Sequence, residues 1–161
     1  MAIQVGDKVP SVKVKVAGES GGGDETTTEA LFAGKKVVLF AVPGAYTPTC
    51  SARHLPGFVE KFDELKAKGV DLVACVSVND AFVMGAWGKD HHAHGKVAMV
   101  ADGNGELARA MGLTFDGSAF GMGERSQRYA AIVDKGTITH LAVEAPGKFE
   151  VSSAEAVLAA L

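Results

Sequence analysis

The stretch Pro43-Gly44-Ala45-Tyr46-Thr47-Pro48-Thr49-Cys50 sets one thiol three residues after a threonine hydroxyl, in a loop that Pro43 and Pro48 stiffen. An apolar run, Val37 to Val42, precedes it and a mixed polar and apolar segment follows. The thiol therefore stands where a buried strand hands over to a helix, beyond the carboxyl end of the strand, which is where open α/β sheets bind ligands. In the first turn of a helix the backbone N–H groups lack intrahelical partners and the helix dipole favours negative charge, so both effects favour thiolate over thiol. Thr47 has the reach to donate to that thiolate or to hold an oxygen of a bound substrate. The competing reading of Cys50 is an ordinary packed cysteine.

Other residues carry weaker signals. Arg128 opens the run Tyr129 to Val133, and an arginine at a strand end can reach a thiolate while staying charged at any working pH. Arg125, a short loop away, has the same claim, and a solvated surface arginine is the alternative for both. Cys75 lies mid-run in Val73-Ala74-Cys75-Val76-Ser77-Val78, where burial blocks access; its active alternative is to resolve an oxidised Cys50, which requires Cα atoms within about 7 Å or local unfolding. His54 follows Cys50 by four residues and shares its helix face, either tuning the thiolate or simply packed. His91-His92-Ala93-His94 lacks the spacing of metal ligands on one helix face, and with His140 it reads as solvated polar loop. Tyr46, Phe82, Trp87 and Phe120 suit an apolar access path, a contact between copies of the chain, or core.

The elements that must position these groups follow from periodicity. Residues 12–16 alternate strictly as a half-buried strand, and residues 17–25, with Gly18 and Gly21-Gly22-Gly23, read as a flexible surface loop. Residues 27–32 make a short helix. Residues 37–42 form a central strand, and Leu55, Phe58, Val59, Phe62 and Leu65 predict a helix over about 50–67, kinked where Pro56 offers no N–H to Ala52. Strands over 70–78 and 96–100 alternate with a short helix through Trp87 and a helical turn over 105–111. Asp134-Lys135-Gly136 marks a hairpin between strands 129–133 and 137–143, and Ser152 with Glu155 predicts a capping box opening the last helix. Strands alternating with helices, then a hairpin, describe an α/β three-layer sandwich around a mixed central sheet, one domain over residues 1–161.

Composition bounds the function. With 47% apolar residues, a formal charge of −3 and scattered lysines and arginines, nucleic acid and anionic membranes are poor partners. No long apolar stretch and no basic leader occurs, which makes the cytoplasm the expected location. Two cysteines outside any CxxC spacing exclude a disulfide scaffold and a zinc knuckle.

Val5-Gly6-Asp7-Lys8-Val9-Pro10, the Pro43 to Cys50 loop, His54-Leu55-Pro56-Gly57-Phe58 and Cys75-Val76-Ser77-Val78-Asn79-Asp80-Ala81-Phe82-Val83 together resemble the peroxiredoxins, specifically the peroxiredoxin 5 and plant type II subgroup. The resemblance implies a thioredoxin-like fold with an N-terminal strand extension, and reduction of hydrogen peroxide and organic hydroperoxides without metal or other cofactor. It implies that Cys50 is the peroxidatic cysteine, that Thr47 hydrogen-bonds the peroxide, that Pro43 shields the pocket and that Arg128 polarises the substrate, with Gly44, Tyr46, Thr49 and Phe120 lining the pocket. Where the subgroup carries a resolving cysteine near its carboxyl end, this chain has Ser152-Ser153. Cys75 matches the second cysteine of the plant enzymes, and external resolution by glutathione and glutaredoxin, or by thioredoxin, is the favoured expectation. A homodimer formed near the active-site loops is implied as well.

The peroxidase reading predicts an accessible Cys50 that forms sulfenic acid stoichiometrically with substrate. A disulfide reductase is disfavoured because Cys50-Ser51-Ala52-Arg53 lacks a second cysteine. A non-catalytic redox sensor or binding protein on the same fold is the remaining alternative, separated from an enzyme by turnover.

Overall fold

The computed structural model describes residues 2–19 and 22–161. Its strands are β1 (Lys13–Ala17), β2 (Gly23–Thr27), β3 (Lys36–Ala41), β4 (Leu72–Ser77), β5 (Val97–Ala101), β6 (Thr114–Asp116), β7 (Glu124–Ser126), β8 (Tyr129–Asp134) and β9 (Thr137–Val143). Seven of them form one sheet in the order β2-β1-β5-β4-β3-β8-β9. The two crossovers through helices give parallel neighbours, β3 with β4 and β4 with β5, while the hairpin β8-β9 and the strand pair β1-β2 add antiparallel edges. The mixed sheet predicted from the alternation of elements is therefore present, with β1 and β2 as the N-terminal extension.

The helices are α1 (Thr28–Phe32), α2 (Leu55–Glu60), α3 (Phe62–Ala67), α4 (Ala81–Asp90), α5 (Glu106–Met111) and α6 (Ala154–Ala160). Period-two alternation in β3 sends Val38 and Phe40 to one face and Val37 and Leu39 to the other. The first face is covered by Leu55, Phe58, Met84, Trp87 and Val157, the second by Phe32, Leu107 and Met111, which completes the three layers. At about 25 cal/mol per Å2 of apolar surface removed from water, each such fully buried side chain contributes roughly 1.5–3 kcal/mol before conformational entropy is counted.

Four local expectations need correction. Residues 23–25 belong to strand β2 rather than to a loop, because the edge of β1 offers a complete ladder from Lys13↔Thr27 to Ala17↔Gly23; Ser20 and Gly21 of the predicted loop lie outside the described residues. The helix begins earlier than predicted, with Pro48 and Thr49 already helical, and the turn that precedes Pro56 is not α-helical. Instead the turn Cys50–His54 is a π-helix in which the Leu55 N–H reaches the Cys50 carbonyl, so the irregularity that Pro56 imposes is taken up one turn earlier. A second break falls at Lys61, which separates α2 from α3 and carries no sequence signal.

The last helix is capped by Ser153, whose hydroxyl accepts from the Ala156 N–H at 3.1 Å, and Ser152 is engaged elsewhere. Finally, residues 114–126 form the small ribbon β6-β7 around a turn at Ser118–Phe120, where short strands rich in glycine had given no periodic signal. The hairpin at Asp134-Lys135-Gly136 is as predicted, with positive φ at Lys135 (51°) and Gly136 (86°) as a tight right-twisting connection demands.

Candidate active site

The loop after β3 is held by its neighbours before any chemistry is considered. The Ala45 N–H donates to Asn79 Oδ1 (3.0 Å), and the Ser77 hydroxyl donates to the same oxygen (2.6 Å). Tyr46 sits at φ 64°, a costly region for a residue with a side chain, and its hydroxyl donates to Asp90 Oδ2 at 2.6 Å. Gly44 is buried at a close approach: a Cβ there would lie 3.1 Å from the Thr47 methyl and 3.2 Å from the Arg125 guanidinium. An alanine there fits only if Thr47, Arg125 or Met122 gives way by a few tenths of an ångström.

Cys50 is completely buried, contrary to the expected exposure. It opens the π turn and packs in the same apolar cluster as Phe40 of β3. Arg128 Nη2 donates to its sulfur at 3.0 Å, while Nη1 lies 2.8 Å from His54 Nδ1. An arginine has only donors, so Nδ1 must accept; the imidazole proton is then on Nε2, which donates to the Ser152 carbonyl at 2.9 Å. Burial, then the Arg128 charge, pushes the His54 pKa down to about 3, so the ring is neutral at any ordinary pH. Phe149 closes this group, its ring 4.9 Å from that of His54 and 5.9 Å from the Arg128 guanidinium carbon.

The fork of Arg128 thus answers the choice between two arginines. Arg125 spends its Nε–H on the Met122 carbonyl (2.8 Å) and makes no bond to the sulfur. His54 is both things considered for it, a satisfied buried histidine and a partner of the thiol site through Arg128.

Thr47 does not donate to the sulfur. Its hydroxyl proton goes to the Gly44 carbonyl at 2.7 Å, which leaves the oxygen lone pairs free to accept from a ligand O–H. Above lies a cleft of about 780 Å3 whose walls include Pro43, Thr47, Thr49, Phe120, Arg128 and Glu144. Gly44 and Tyr46 are not among them: Gly44 is buried behind Thr47, and the Tyr46 ring faces Trp87 at 6.4 Å, where Asp90 holds it.

Cys75 is fully buried on β4, opposite Phe40 of β3, in the same apolar cluster as Cys50. Burial, reinforced by the charge of Cys50, pushes its thiol well above the ordinary range, which matches the packed reading. Of the clustered histidines, His94 is no solvated side chain: its Nε2 lies 2.9 Å from the Gly85 carbonyl, and His91 packs edge-on against Trp87. Among the described residues no group of three or more His, Cys, Asp or Glu side chains is placed to hold a metal. Nor is any helix of the described residues long and apolar enough to cross a membrane.

Two features had no counterpart in the sequence reading. The Trp87 indole N–H donates to Ser51 Oγ at 3.0 Å, beside the reactive position. Glu144 is buried with its carboxylate receiving the N–H groups of Glu150, Val151 and Ser152 and the Ser152 hydroxyl, at 2.7–3.0 Å. A Glu followed six to eight residues later by a polar turn is too common a pattern to have marked it.

Comparison with known proteins bears on this geometry. The Redoxin family profile matches residues 4–158. Peroxiredoxin-2B of Arabidopsis thaliana is 49% identical over 99% of this chain and 98% of its own length. Among solved structures, reduced Prx3 of Vibrio vulnificus in complex with hydrogen peroxide is 54% identical and superposes with a TM-score of 0.93 over 98% of each chain. Peroxiredoxin 5 of Alvinella pompejana is 36% identical with a TM-score of 0.86, covering 98% of this chain and 96% of that one. The fold is the thioredoxin-like peroxiredoxin fold.

Proposed function

The chain belongs to the Redoxin family and is a peroxiredoxin, a thiol peroxidase; from that premise we propose that Cys50 is its peroxidatic sulfur and that Thr47, Arg128 and Pro43 complete the reacting site. The observation that carries this assignment is the 3.0 Å bond from Arg128 Nη2, a side chain that lines the cleft, to the buried Cys50 Sγ behind it. A charge-assisted donor at that distance is in place for the negative charge shared by sulfur and oxygen on reaction.

In the step so assigned, the Cys50 thiolate attacks one oxygen of ROOH. The S–O bond forms as the O–O bond breaks, and RO⁻ leaves and takes a proton to become ROH, water when R is hydrogen. Thr47 accepts the hydroperoxide O–H with the lone pairs left free by its own bond to Gly44. Arg128 stabilises the negative charge shared by sulfur and both oxygens. Pro43, which has no N–H, walls the sulfur from bulk water. That a relative of known structure is in complex with hydrogen peroxide supports peroxide as ligand of this cleft.

Cys50 leaves the step as a sulfenic acid. The recycling thiol comes from outside the chain in this reading: R′SH condenses with the sulfenic acid to give Cys50–S–S–R′ and water, and a second thiol releases reduced Cys50 and R′SSR′. Burial of Cys75 and the absence of a cysteine near Ser152 favour this route, with glutathione and glutaredoxin, or thioredoxin, as donors. The chain works as a homodimer on this reading, and exposed Phe82 and Phe120 supply apolar surface for the contact.

The test is steady-state removal of tert-butyl hydroperoxide by wild type, Cys50→Ser and Cys75→Ser, each with glutathione plus glutaredoxin and with thioredoxin plus its reductase. Cys50→Ser is expected to be inactive and Cys75→Ser to keep full turnover with glutaredoxin. Activity in Cys50→Ser would overturn the site assignment; loss of all turnover in Cys75→Ser would overturn the recycling route.

A further inference from the structure

Glu144 lies at the end of a continuous chain of hydrogen bonds that terminates on the reactive sulfur. It sits directly after β9, where its backbone N–H donates to the Arg128 carbonyl at 2.9 Å. Its side chain turns the other way, into the segment before α6. Oε2 receives the N–H groups of Glu150, Val151 and Ser152 at 2.8 Å each and the Ser152 hydroxyl at 2.7 Å, and Oε1 receives the Glu150 N–H at 3.0 Å.

That carboxylate fixes where the Ser152 carbonyl points. The carbonyl takes the Nε2 proton of His54, the opposite ring nitrogen accepts from Arg128 Nη1, and Arg128 Nη2 reaches Cys50. Ser152 and His54 are fully buried, so water cannot substitute for a lost link. Burial alone would raise the Glu144 carboxyl, but the Ser152 hydroxyl and the N–H groups of Glu150, Ser152 and Val151 together hold it below the usual carboxylate range.

We propose that Glu144 is a positioning residue for peroxide reduction, setting the orientation of the Arg128 guanidinium through the 150–152 turn and His54. The inference rests on the role assigned above to Arg128. A residue that merely stabilised the turn would lower the melting temperature without acting on the peroxide step through Arg128.

The experiment is a double-mutant cycle on the second-order rate of Cys50 oxidation by hydrogen peroxide, followed in stopped flow by the single tryptophan, Trp87. Wild type, Glu144→Ala, Glu144→Gln, Arg128→Lys and Glu144→Ala/Arg128→Lys are compared. Glu144→Ala is expected to slow the step about tenfold, the size of one lost charge-assisted bond. Glu144→Gln keeps an oxygen at the Oε2 position, where four of the five bonds converge, and should stay within about threefold of wild type. In the Arg128→Lys background Glu144→Ala should add less than about twofold, because the group it positions is already gone.

Should Glu144→Ala fail to fold, Glu144→Asp, which withdraws the carboxylate by one methylene, takes its place with the same expectations. An unchanged rate in the Ala or Asp variant, or an equal loss with and without Arg128, overturns the proposal while leaving the Arg128 assignment intact. A normal rate in Arg128→Lys alone would instead overturn the assignment on which it rests.

Discussion

Replacing Arg128 by lysine keeps a positive charge and removes a geometry. In the native site one guanidinium spans two acceptors that face different ways, Cys50 Sγ at 3.0 Å and His54 Nδ1 at 2.8 Å. An ammonium on a flexible stem cannot hold both in fixed directions. If it goes to His54, whose Nδ1 is fully buried and has no other donor, the sulfur loses its bond; if it goes to the sulfur, the imidazole is left with an unpaired acceptor and turns. In the first case the sulfur loses one charge-assisted hydrogen bond, about 1.5–3 kcal/mol, which is roughly 10- to 150-fold in rate, and in the second the donor at the sulfur is no longer held in line by His54. The assay is the rate of Cys50 oxidation in stopped flow at fixed pH, with Arg125→Lys as control. Arg125 reaches the Met122 carbonyl and not the sulfur, so its variant should stay within about threefold of wild type, the scale of a single peripheral hydrogen bond. A wild-type rate in Arg128→Lys, or an equal loss in both variants, would refute the argument that fork geometry rather than net charge drives the step.

Further outcomes are accessible with the same protein. Thr47→Val removes the acceptor over the sulfur and should slow oxidation by roughly tenfold, and Thr47→Ser, which restores the oxygen, should recover most of it; equal rates in the two would show that the hydroxyl is idle. Because burial and Arg128 hold His54 near a pKa of about 3 while an unfolded histidine titrates near 6.5, the unfolded state binds the extra proton between those values. Its contribution to stability is complete above about pH 6.5 and declines as pH falls, by up to about 1.4 kcal/mol per unit. Urea unfolding at pH 7.0, 6.0 and 5.0 should show that slope in wild type and not in His54→Gln. Ser153→Ala should cost about 1 kcal/mol through loss of the cap on α6, measured by the same unfolding curves; no change would mean that the Ala156 N–H finds another partner.

Much of the scaffold was legible because it is written in periodicity. The run at 37–42 and the Asp134-Lys135-Gly136 turn specify their own conformations through burial and φ. Strand β2 was not legible, since Gly-Asp-Glu-Thr-Thr has no alternation of its own and becomes a strand only because β1 offers it a ladder. The π turn escaped for a related reason. Pro56 announces an irregularity, and where it is absorbed depends on what the neighbouring turns can tolerate against the sheet. At the site, Cys50 and Thr47 are legible from loop chemistry. Arg128 and Arg125 are separable only once β6-β7 and the start of β8 fix where each side chain points. Glu144 was invisible, because its importance lies wholly in partners six to eight residues ahead and in the histidine they face.

The burial of Cys50 has a consequence for how the protein discriminates among reagents. Intrinsic nucleophilicity alone would expose a thiolate to every electrophile in its surroundings. This sulfur has no exposed surface and is bonded by Arg128, which lines the cleft with Pro43 and Thr47, so a narrow reagent should react with it faster than a branched or planar one of equal intrinsic reactivity. Covalent probes for this cysteine should accordingly be narrow at the warhead, with their bulk left in the cleft beyond Thr49 and Phe120.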